Sequence, residues 1–477
     1  MKLLALLPVL AAFAAPPCPA DAGRGPSASA QIAPAQSDPA RSAMIEGLLA
    51  LAVWANEGQL FAQRDLVWRS VLALEPENAE ARKGLRYARD GAGNWKEPAP
   101  RDAKDLNAAL LPEFVERRTA VVAAWRTAVL AALDRDHADP PRREAAFAEI
   151  LKIDPDDPVI HGMRGEERVN GAWVLVETSS SLARRAALRT WIEEGRSGPP
   201  LAEAVQATPE DQALLPAWKV AFAGEGMRVL SQTSEAEVRE MLQAQHTARR
   251  LLSRICGKDV APWPGFTAFV LPEAADREKI LSGIPECTEA QKKEWKSAVG
   301  FGIPGRAVVV LWDKDGKRRM DCFVRHLLAS CFHSTYHIDH LQGWVVDGLG
   351  IYLTNELLGT HFTWFTPPKA GEKNALRTRL ASAKTNWMAE AQKLAASDAA
   401  PHLADVLVKD LAAMKTEEML ISFAFAAYLV EGLPQLLPEY LERVGAGGNG
   451  VETLCTIAGR PLPEIEARFV RWLGERK

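Results

Sequence analysis

The richest group of chemically capable residues lies in the stretch VRHLLASCFHSTYHIDHLQGWVVDGLGIYL, which runs from Val324 to Leu353. It contains four histidines and, in its second half, a tryptophan, an aspartate and a tyrosine. Imidazole and carboxylate groups at helical spacing are common ligands of protein-bound zinc. The stretch therefore raises the question of a metal site, and the order of its residues decides which kind.

The second half of the stretch, GWVVDGLGIYL, resembles the peptidase MA-like gluzincins. Their pattern is H-E-x-x-H, then a spacer, then W-x-x-E-G-L-A-x-Y. Trp344, Asp347, Gly348, Leu349 and Tyr352 stand at positions of that second element. The resemblance implies a scaffold made of a small sheet and an active-site helix. In that scaffold Trp344, Gly348, Leu349 and Tyr352 would line the frame of a groove.

Counting back 21 residues from Asp347, a usual spacing in the family, gives His326 as the first metal-ligand position. The resemblance then implies that Leu327 replaces the catalytic glutamate, Ser330 the second histidine and Asp347 the third ligand. Leucine cannot accept a proton, and loss of a general base removes roughly 10²–10⁴-fold in rate. A catalytic zinc normally has three protein ligands. The pattern predicts a decayed centre with degenerate ligand positions His326, Ser330 and Asp347, no catalytic residue and no cofactor.

A different metal site is one alternative, because His333 and His337 are four residues apart and His340 follows. His361 would be a distant fourth ligand. This site also lacks a glutamate after its first histidine, since Ser334 stands there. Solvated histidines at a helix end are the simpler interpretation.

An active zinc-dependent peptidase with an altered ligand set is the second alternative. It would use His326 and Asp347, with zinc as its cofactor and Glu356 as the nearest substitute ligand. Cys322, four residues before His326, could mimic a Cys–His pair. A buried structural cysteine is the simpler interpretation of that residue.

The flanking patterns favour the α+β class. Strands are predicted for MRVLSQTS, for FTAFVL and for a pair within AVGFGIPGRAVVVLW. Helices are predicted over Glu235–Ile255, Asn374–Leu394, Leu403–Met414, Glu417–Glu431 and Pro463–Gly474. A small sheet followed by many helices is α+β, with a gluzincin-like domain at 217–477. RAVVVLW is expected to be the edge strand against which an extended peptide would lie.

Two related segments precede this region, at 71–95 and 150–173. Each combines an apolar helix end, an acidic-Pro-acidic turn, a second helical stretch and a turn before Trp95 or Trp173. They resemble tetratricopeptide-like helical hairpins, in which both tryptophans would pack the hairpin. The repeat region is predicted for 43–178 and a helical connector for 179–216.

The chain has 477 residues and a formal net charge of -4, without a basic stripe, which disfavours nucleic acid as a partner. MKLLALLPVLAAFAAPPCPADAGRG predicts a signal peptide over residues 1–22, followed by a disordered linker over 23–42. No later apolar run reaches 18 residues, so no membrane span is expected. The sequence therefore favours an exported, periplasmic or extracellular protein that binds a peptide or protein without catalysis.

Overall fold

The computed structural model describes residues 39–96, 98–99, 103–198, 202–285, 288–295, 298–303, 306–366 and 375–476. The predicted signal peptide lies outside the described residues, as does the predicted linker up to residue 38. The remaining linker residues are helical, because the first helix begins at Pro39. Contacts divide the chain into two compact units, 1–155 and 156–477.

The first unit is mainly helical. Its elements are α1 (Pro39–Glu57), α2 (Phe61–Leu74), α3 (Ala79–Gly84), β1 (Ala88–Arg89), β2 (Trp95–Lys96), a 3-10 turn (Ala108–Leu110), α4 (Leu111–Arg135) and α5 (Pro140–Ile153). Helix α1 packs against α2 and α4 through buried residues such as Leu48 and Leu51.

The second unit combines a six-stranded sheet and the two-stranded β3–β4 sheet with most of the helices, so the α+β prediction is confirmed. Its first elements are α6 (Pro158–Met163), β3 (Glu166–Val169), β4 (Ala172–Leu175), α7 (Val176–Ser197), β5 (Glu203–Ala204), α8 (Pro209–Leu214), β6 (Val220–Gly224), β7 (Met227–Ser231), α9 (Glu235–Cys256), β8 (Phe266–Leu271), α10 (Ala274–Gly283), α11 (Glu289–Trp295), β9 (Gly300–Gly302), β10 (Val308–Trp312) and α12 (Gly316–Tyr336). They are followed by a π-helix (Trp344–Leu349), α13 (Gly350–Leu358), α14 (Ala375–Leu380), α15 (Trp387–Ala395), α16 (Leu403–Val406), α17 (Thr416–Ala427), a second π-helix (Tyr428–Gly432), α18 (Leu437–Gly445), α19 (Gly450–Ala458) and α20 (Leu462–Glu475).

The two repeated segments share one element order: a helix, an acidic-Pro turn, a short helix and a β-hairpin. In each hairpin an arginine is the cross-strand partner of the tryptophan, Arg89 of Trp95 and Arg168 of Trp173. Each indole nitrogen also donates to the acidic residue after the turn proline, 3.1 Å in the first segment and 3.0 Å in the second. These bonds fold each hairpin back onto its own turn.

The six-stranded sheet has the order β5-β6-β7-β8-β10-β9. Strands β7, β8 and β10 are parallel, whereas β9 pairs antiparallel with β10. The expectation that RAVVVLW forms the edge is therefore wrong, because β10 has a neighbour on each side. Among the described residues, β9 is the edge strand next to it.

Side-chain alternation along β8 explains how the sheet is covered on both faces. Phe266, Ala268 and Val270 join the large core that holds α9 and α12, whereas Phe269 and Leu271 join a smaller core with α10. All six residues of β8 are buried, as expected for a central strand covered on both faces.

Helices α9 and α12 begin and end at clear sequence signals. Ser234 caps α9 by accepting a hydrogen bond from the Glu237 amide, and Asp315 caps α12 in the same way from Lys317. At its C-terminal end α12 stops where His337 adopts a left-handed backbone conformation, with φ of 61°. The histidine-rich stretch is thus helical up to Tyr336, forms a loop over residues 337–343 and is helical again from Trp344.

Two predicted helices differ in the structure, one being shorter and the other interrupted. Only Leu403–Val406 is helical within the predicted Leu403–Met414, since the Lys409 carbonyl accepts from Gly343 and the Leu411 amide donates to His340. The predicted helix ending at Leu394 is split into α14 and α15, the second of which Asn386 caps.

The segment predicted as a connector is integral to the second unit. Helix α7 packs against α9 and against the second π-helix, and β5 extends the sheet by pairing with β6. Within the described part of the chain, none of the helices has the length and apolar character needed to cross a membrane.

Candidate functional site

His326 lies on α12 beside the edge strand. Its ring contacts the Phe365 ring, with centroids 4.8 Å apart, and it forms a hydrogen bond to the backbone of Gly300 in β9. The Nε2 atom is buried and has no hydrogen-bond partner among the described residues. Burial, followed by the nearby Arg325 charge, lowers the pKa of His326 to about 3, so the imidazole is neutral at ordinary pH.

Asp347 is completely buried and holds an arginine. The Arg325 guanidinium donates to Oδ1 at 2.5 Å, and both side chains have no exposed surface. The backbone amides of Phe365 and Thr366 donate to the same carboxylate at 3.0 and 2.6 Å, and the Thr366 hydroxyl donates at 2.5 Å. The charge of Asp347 is thus neutralised by an arginine at the position where the family resemblance implies a metal ligand.

A strap formed by residues 361–366 covers this ion pair. The Asp321 carboxylate accepts from the amides of Phe362 and Thr363, at 3.1 and 2.8 Å. Arg325 Nε donates to the Thr363 carbonyl at 3.2 Å. The Phe365 ring contacts both the Arg325 guanidinium, 4.7 Å away, and the imidazole of His326. His326 and Asp347 are therefore connected through Phe365 rather than through a shared ligand.

The other two positions implied by the resemblance also have structural contacts. Leu327 is fully buried in the large core, so its side chain does not face the groove. The Ser330 hydroxyl accepts a hydrogen bond from the Trp263 backbone amide at 2.9 Å. These residues do not fit zinc, since the only carboxylate among the three positions is engaged by a guanidinium.

The four frame residues, Trp344, Gly348, Leu349 and Tyr352, are buried and pack against other parts of the second unit. Trp344 donates to the Tyr440 hydroxyl at 3.1 Å, and Tyr352 donates to Glu431 at 3.0 Å. A Cβ on Gly348 would lie 2.5 Å from that of Ser422 in α17, so only glycine permits this approach of the two helices. The frame therefore packs the fold and has no surface on a groove.

The structure separates the histidines of the alternative metal site. His333 contacts the Trp263 ring, His337 ends α12, and His340 lies in the following loop with 71% of its side chain exposed. His361 is buried, and its Nε2 lies 3.2 Å from the Ser382 carbonyl oxygen. Among the residues that the structure describes, no three His, Cys, Asp or Glu side chains are grouped so that they could hold a metal ion.

Glu356 and Cys322 have other surroundings than the alternatives require. Glu356 lies near Glu431 and Arg476, and burial, followed by the Glu431 charge, raises its pKa. Burial raises the pKa of the Cys322 thiol to about 12, so a thiolate is not available for a Cys–His pair.

The outer side of β9 is an edge of the six-stranded sheet. Ile303 donates to Val308 and Trp312 donates to Val299, which defines the hydrogen-bonded pairs of the β9–β10 ladder. Because such pairs alternate along an antiparallel ladder, the backbone groups of Gly300 and Gly302 point away from β10. Within the described residues no strand pairs with this side.

Sequence reasoning missed Arg325 and the strap. The sequence does contain an indication of the arginine's role. Arg325 is a charged residue within the apolar run of a helix that packs in the core, and a buried charge requires an oppositely charged or hydrogen-bonding partner. The strap gives no comparable signal, since its contribution comes mainly from backbone amides. Comparisons with protein-family models, with curated proteins and with solved structures found no match to this chain.

Proposed function

We propose that this chain is an exported, non-catalytic protein that binds an extended peptide or protein segment along the free edge of β9. The observation that carries the proposal is the buried Arg325–Asp347 pair. In this pair, Arg325 binds the carboxylate at the position where a gluzincin would bind zinc, while the outer edge of the neighbouring strand β9 has no strand partner among the described residues. Binding without hydrolysis is the activity that this combination supports best.

Loss of catalysis follows from the chemistry of three positions. A zinc ion would have to displace a guanidinium from a buried carboxylate that accepts four hydrogen bonds. Leu327 cannot accept a proton, and a glutamate in its place would be buried in the apolar core. Ser330 is a weak ligand that already accepts from the backbone. No step of a zinc-dependent mechanism can be assigned to these residues.

Peptide binding follows from strand complementarity. An extended segment that pairs with β9 would satisfy the outward backbone groups of Gly302, as in other cases of strand addition, whereas the backbone of Gly300 already has a hydrogen bond with His326. Gly300 is required for packing, because a Cβ there would lie 2.4 Å from the Cys322 sulfur.

Gly302 permits a sharp test of this binding mode. Peptides selected from a randomised library on the wild-type protein would be measured against two variants by fluorescence polarisation. Gly302→Pro removes the outward N–H and should weaken binding roughly tenfold or more, since it removes a main-chain hydrogen bond and disturbs strand pairing. Gly302→Ala is the matched control, because it keeps the N–H and its Cβ meets no atom closer than 3.9 Å.

Equal affinity of both variants would show that the peptide does not pair with β9. Failure of the wild-type protein to select any peptide would overturn the proposed function itself.

The second candidate is an active zinc-dependent peptidase with an altered ligand set. It is favoured by one observation, the buried Nε2 of His326 that has no hydrogen-bond partner among the described residues. Metal analysis of the purified protein distinguishes the two functions. Stoichiometric zinc that disappears in His326→Ala, together with chelator-sensitive peptide cleavage, would establish the peptidase and contradict our proposal.

A further inference from the structure

A cavity of about 750 Å³ lies where helices α9 and α12 begin. Helix α9 follows β7 and helix α12 follows β10, and both strands run parallel to β8. The first turns of the two helices therefore lie at the same end of the sheet, beyond the carboxyl ends of its parallel strands. Crevices in this position are frequent ligand sites. Ala236 and Gly316 line the cavity from the two first turns, and Leu358 and Thr360 line it from the end of α13 and the residues that follow.

Much of the cavity lining is apolar. Met320, Leu358 and Phe362 contribute to it, and the first two also pack on the large core. A second cavity of about 290 Å³ continues along α9 and shares Glu240, Met320 and Leu358 with the first. The first cavity alone has the size of a site for a small organic molecule, about 300–1,000 Å³.

Two opposite charges in the lining have no partner. Glu240 of α9 and Lys317 of α12 are exposed, and among the described residues neither side chain forms a hydrogen bond or an ion pair. The other two carboxylates of the lining are engaged. Glu237 accepts from Arg319 at 2.7 and 2.8 Å, and Asp315 accepts from the Lys317 amide as the N-cap of α12. The cavity therefore offers one unpaired carboxylate and one unpaired ammonium group beside apolar surface.

We propose that this cavity binds a short apolar peptide whose two ends are both free. The ammonium end of the peptide binds Glu240, its carboxylate end binds Lys317, and its side chains pack against Met320 and Leu358. A molecule with one positive end, one negative end and an apolar body matches the charges and the surface of the lining. Because the unpaired charges of the lining sum to zero, a ligand that carries only one charge would leave one of them without a partner.

The size of the cavity sets the length of the peptide. A sphere of 750 Å³ has a diameter of about 11 Å, and three extended residues span at most about 10–11 Å. Peptides of two or three residues therefore fit. This site does not depend on the proposed function, because the lining described for the cavity contains no residue of β9. Pairing with a strand edge uses the backbone of a peptide, whereas this site uses its two ends.

Ultrafiltration of the full chain with three tripeptide mixtures tests the proposal. All three mixtures contain the sequences built from Ala, Val and Leu. One has both ends free, one has an acetylated amino end and one has an amidated carboxyl end. Peptides retained by the protein are quantified by mass spectrometry. The free-ended mixture should be retained, and each blocked mixture should bind roughly tenfold more weakly, as expected for loss of one hydrogen bond to a charged group.

Substitutions that remove one charge assign each end of the peptide. Glu240→Gln should weaken free-ended peptides roughly tenfold and should not weaken acetylated peptides further, because these lack the ammonium group. Lys317→Gln should weaken free-ended peptides by a similar factor without further effect on amidated ones. Glu235→Gln is the matched control on α9, since Glu235 pairs with Arg239 and is not part of the cavity lining. It should leave retention unchanged.

The outcomes distinguish this site from the edge of β9. Lack of retention of the free-ended mixture by the wild-type protein would overturn the inference, and so would equal retention of free and blocked peptides. Retention that is lost in Gly302→Pro but unchanged in Glu240→Gln would place these peptides at β9 and overturn the cavity site. Retention that is weakened in Glu240→Gln and unchanged in Gly302→Pro would support the cavity site, whatever the library selection shows for β9.

Discussion

Replacing Asp347 with asparagine should destabilise the second unit severely, although the two side chains have nearly the same shape. The carboxylate accepts from Arg325 on Oδ1 and from the amide and hydroxyl of Thr366 on Oδ2. An asparagine has only one oxygen, so in either orientation of its amide the NH₂ group would face a group that is itself a hydrogen-bond donor. Arg325 keeps a second acidic neighbour in Asp321, but it loses its directly bonded partner.

The magnitude follows from burial. Breaking one partner of a fully buried ion pair typically costs about 3–5 kcal/mol. The matched control is Glu439→Gln, which makes the same chemical change in the Glu439–Arg443 pair. That pair has the same 2.5 Å separation, but its side chains are 51% and 49% exposed. The control should cost about 0.5 kcal/mol or less, since exposed pairs at this helical spacing contribute little.

Urea unfolding followed by tryptophan fluorescence measures the stability change. Hydrogen exchange of residues 361–366 adds a local readout, because two amides of the strap donate directly to Asp347. Asp347→Asn should speed exchange there, whereas Glu439→Gln should leave it unchanged. The reasoning is refuted if the two variants lose similar stability, or if exchange in the strap stays at the wild-type rate.

Three further predictions follow from the same neighbourhood. The folded-state pKa of His326, about 3, lies below its ordinary value of 6.5, so the unfolded chain binds the extra proton between these pH values. The stabilisation that this residue contributes is therefore complete above pH 6.5 and falls as the pH drops towards 3, by up to about 1.4 kcal/mol per pH unit. In urea unfolding measured across this range, His326→Gln should reduce the dependence of stability on pH. Parallel curves for the wild-type protein and the variant would contradict this prediction. Cys322, buried and with its pKa raised to about 12, should resist iodoacetamide until the chain unfolds, whereas the partly exposed Cys455 should react first when labelling is followed by mass spectrometry. Gly350→Ala places a Cβ 1.7 Å from the Arg325 guanidinium and should lower the free energy of unfolding in urea by about 1–3 kcal/mol. The control Gly474→Ala has a Cβ that meets no atom within 4 Å, so it should be neutral or slightly stabilising. Equal effects of the two substitutions would show that Arg325 can move aside.

The sequence alone determined the elements with strong local signals. Short apolar runs bounded by turn residues identified β8 and the β9–β10 pair, and an amphipathic pattern identified α9. These patterns depend on residues close together in the sequence, so they can be read from the chain. The element order of the two repeated segments was readable for the same reason.

The tertiary structure alone decided the chemistry of the site. The sequence placed a histidine, a serine and an aspartate at the ligand positions of a familiar motif, but it could not show that Asp347 binds Arg325, 22 residues earlier in the chain. It also assigned the sheet edge to the wrong strand, because the order of β10 and β9 depends on pairing and not on composition. A buried charge is compensated by whichever group the packing brings within hydrogen-bond distance, and only the folded arrangement determines that group.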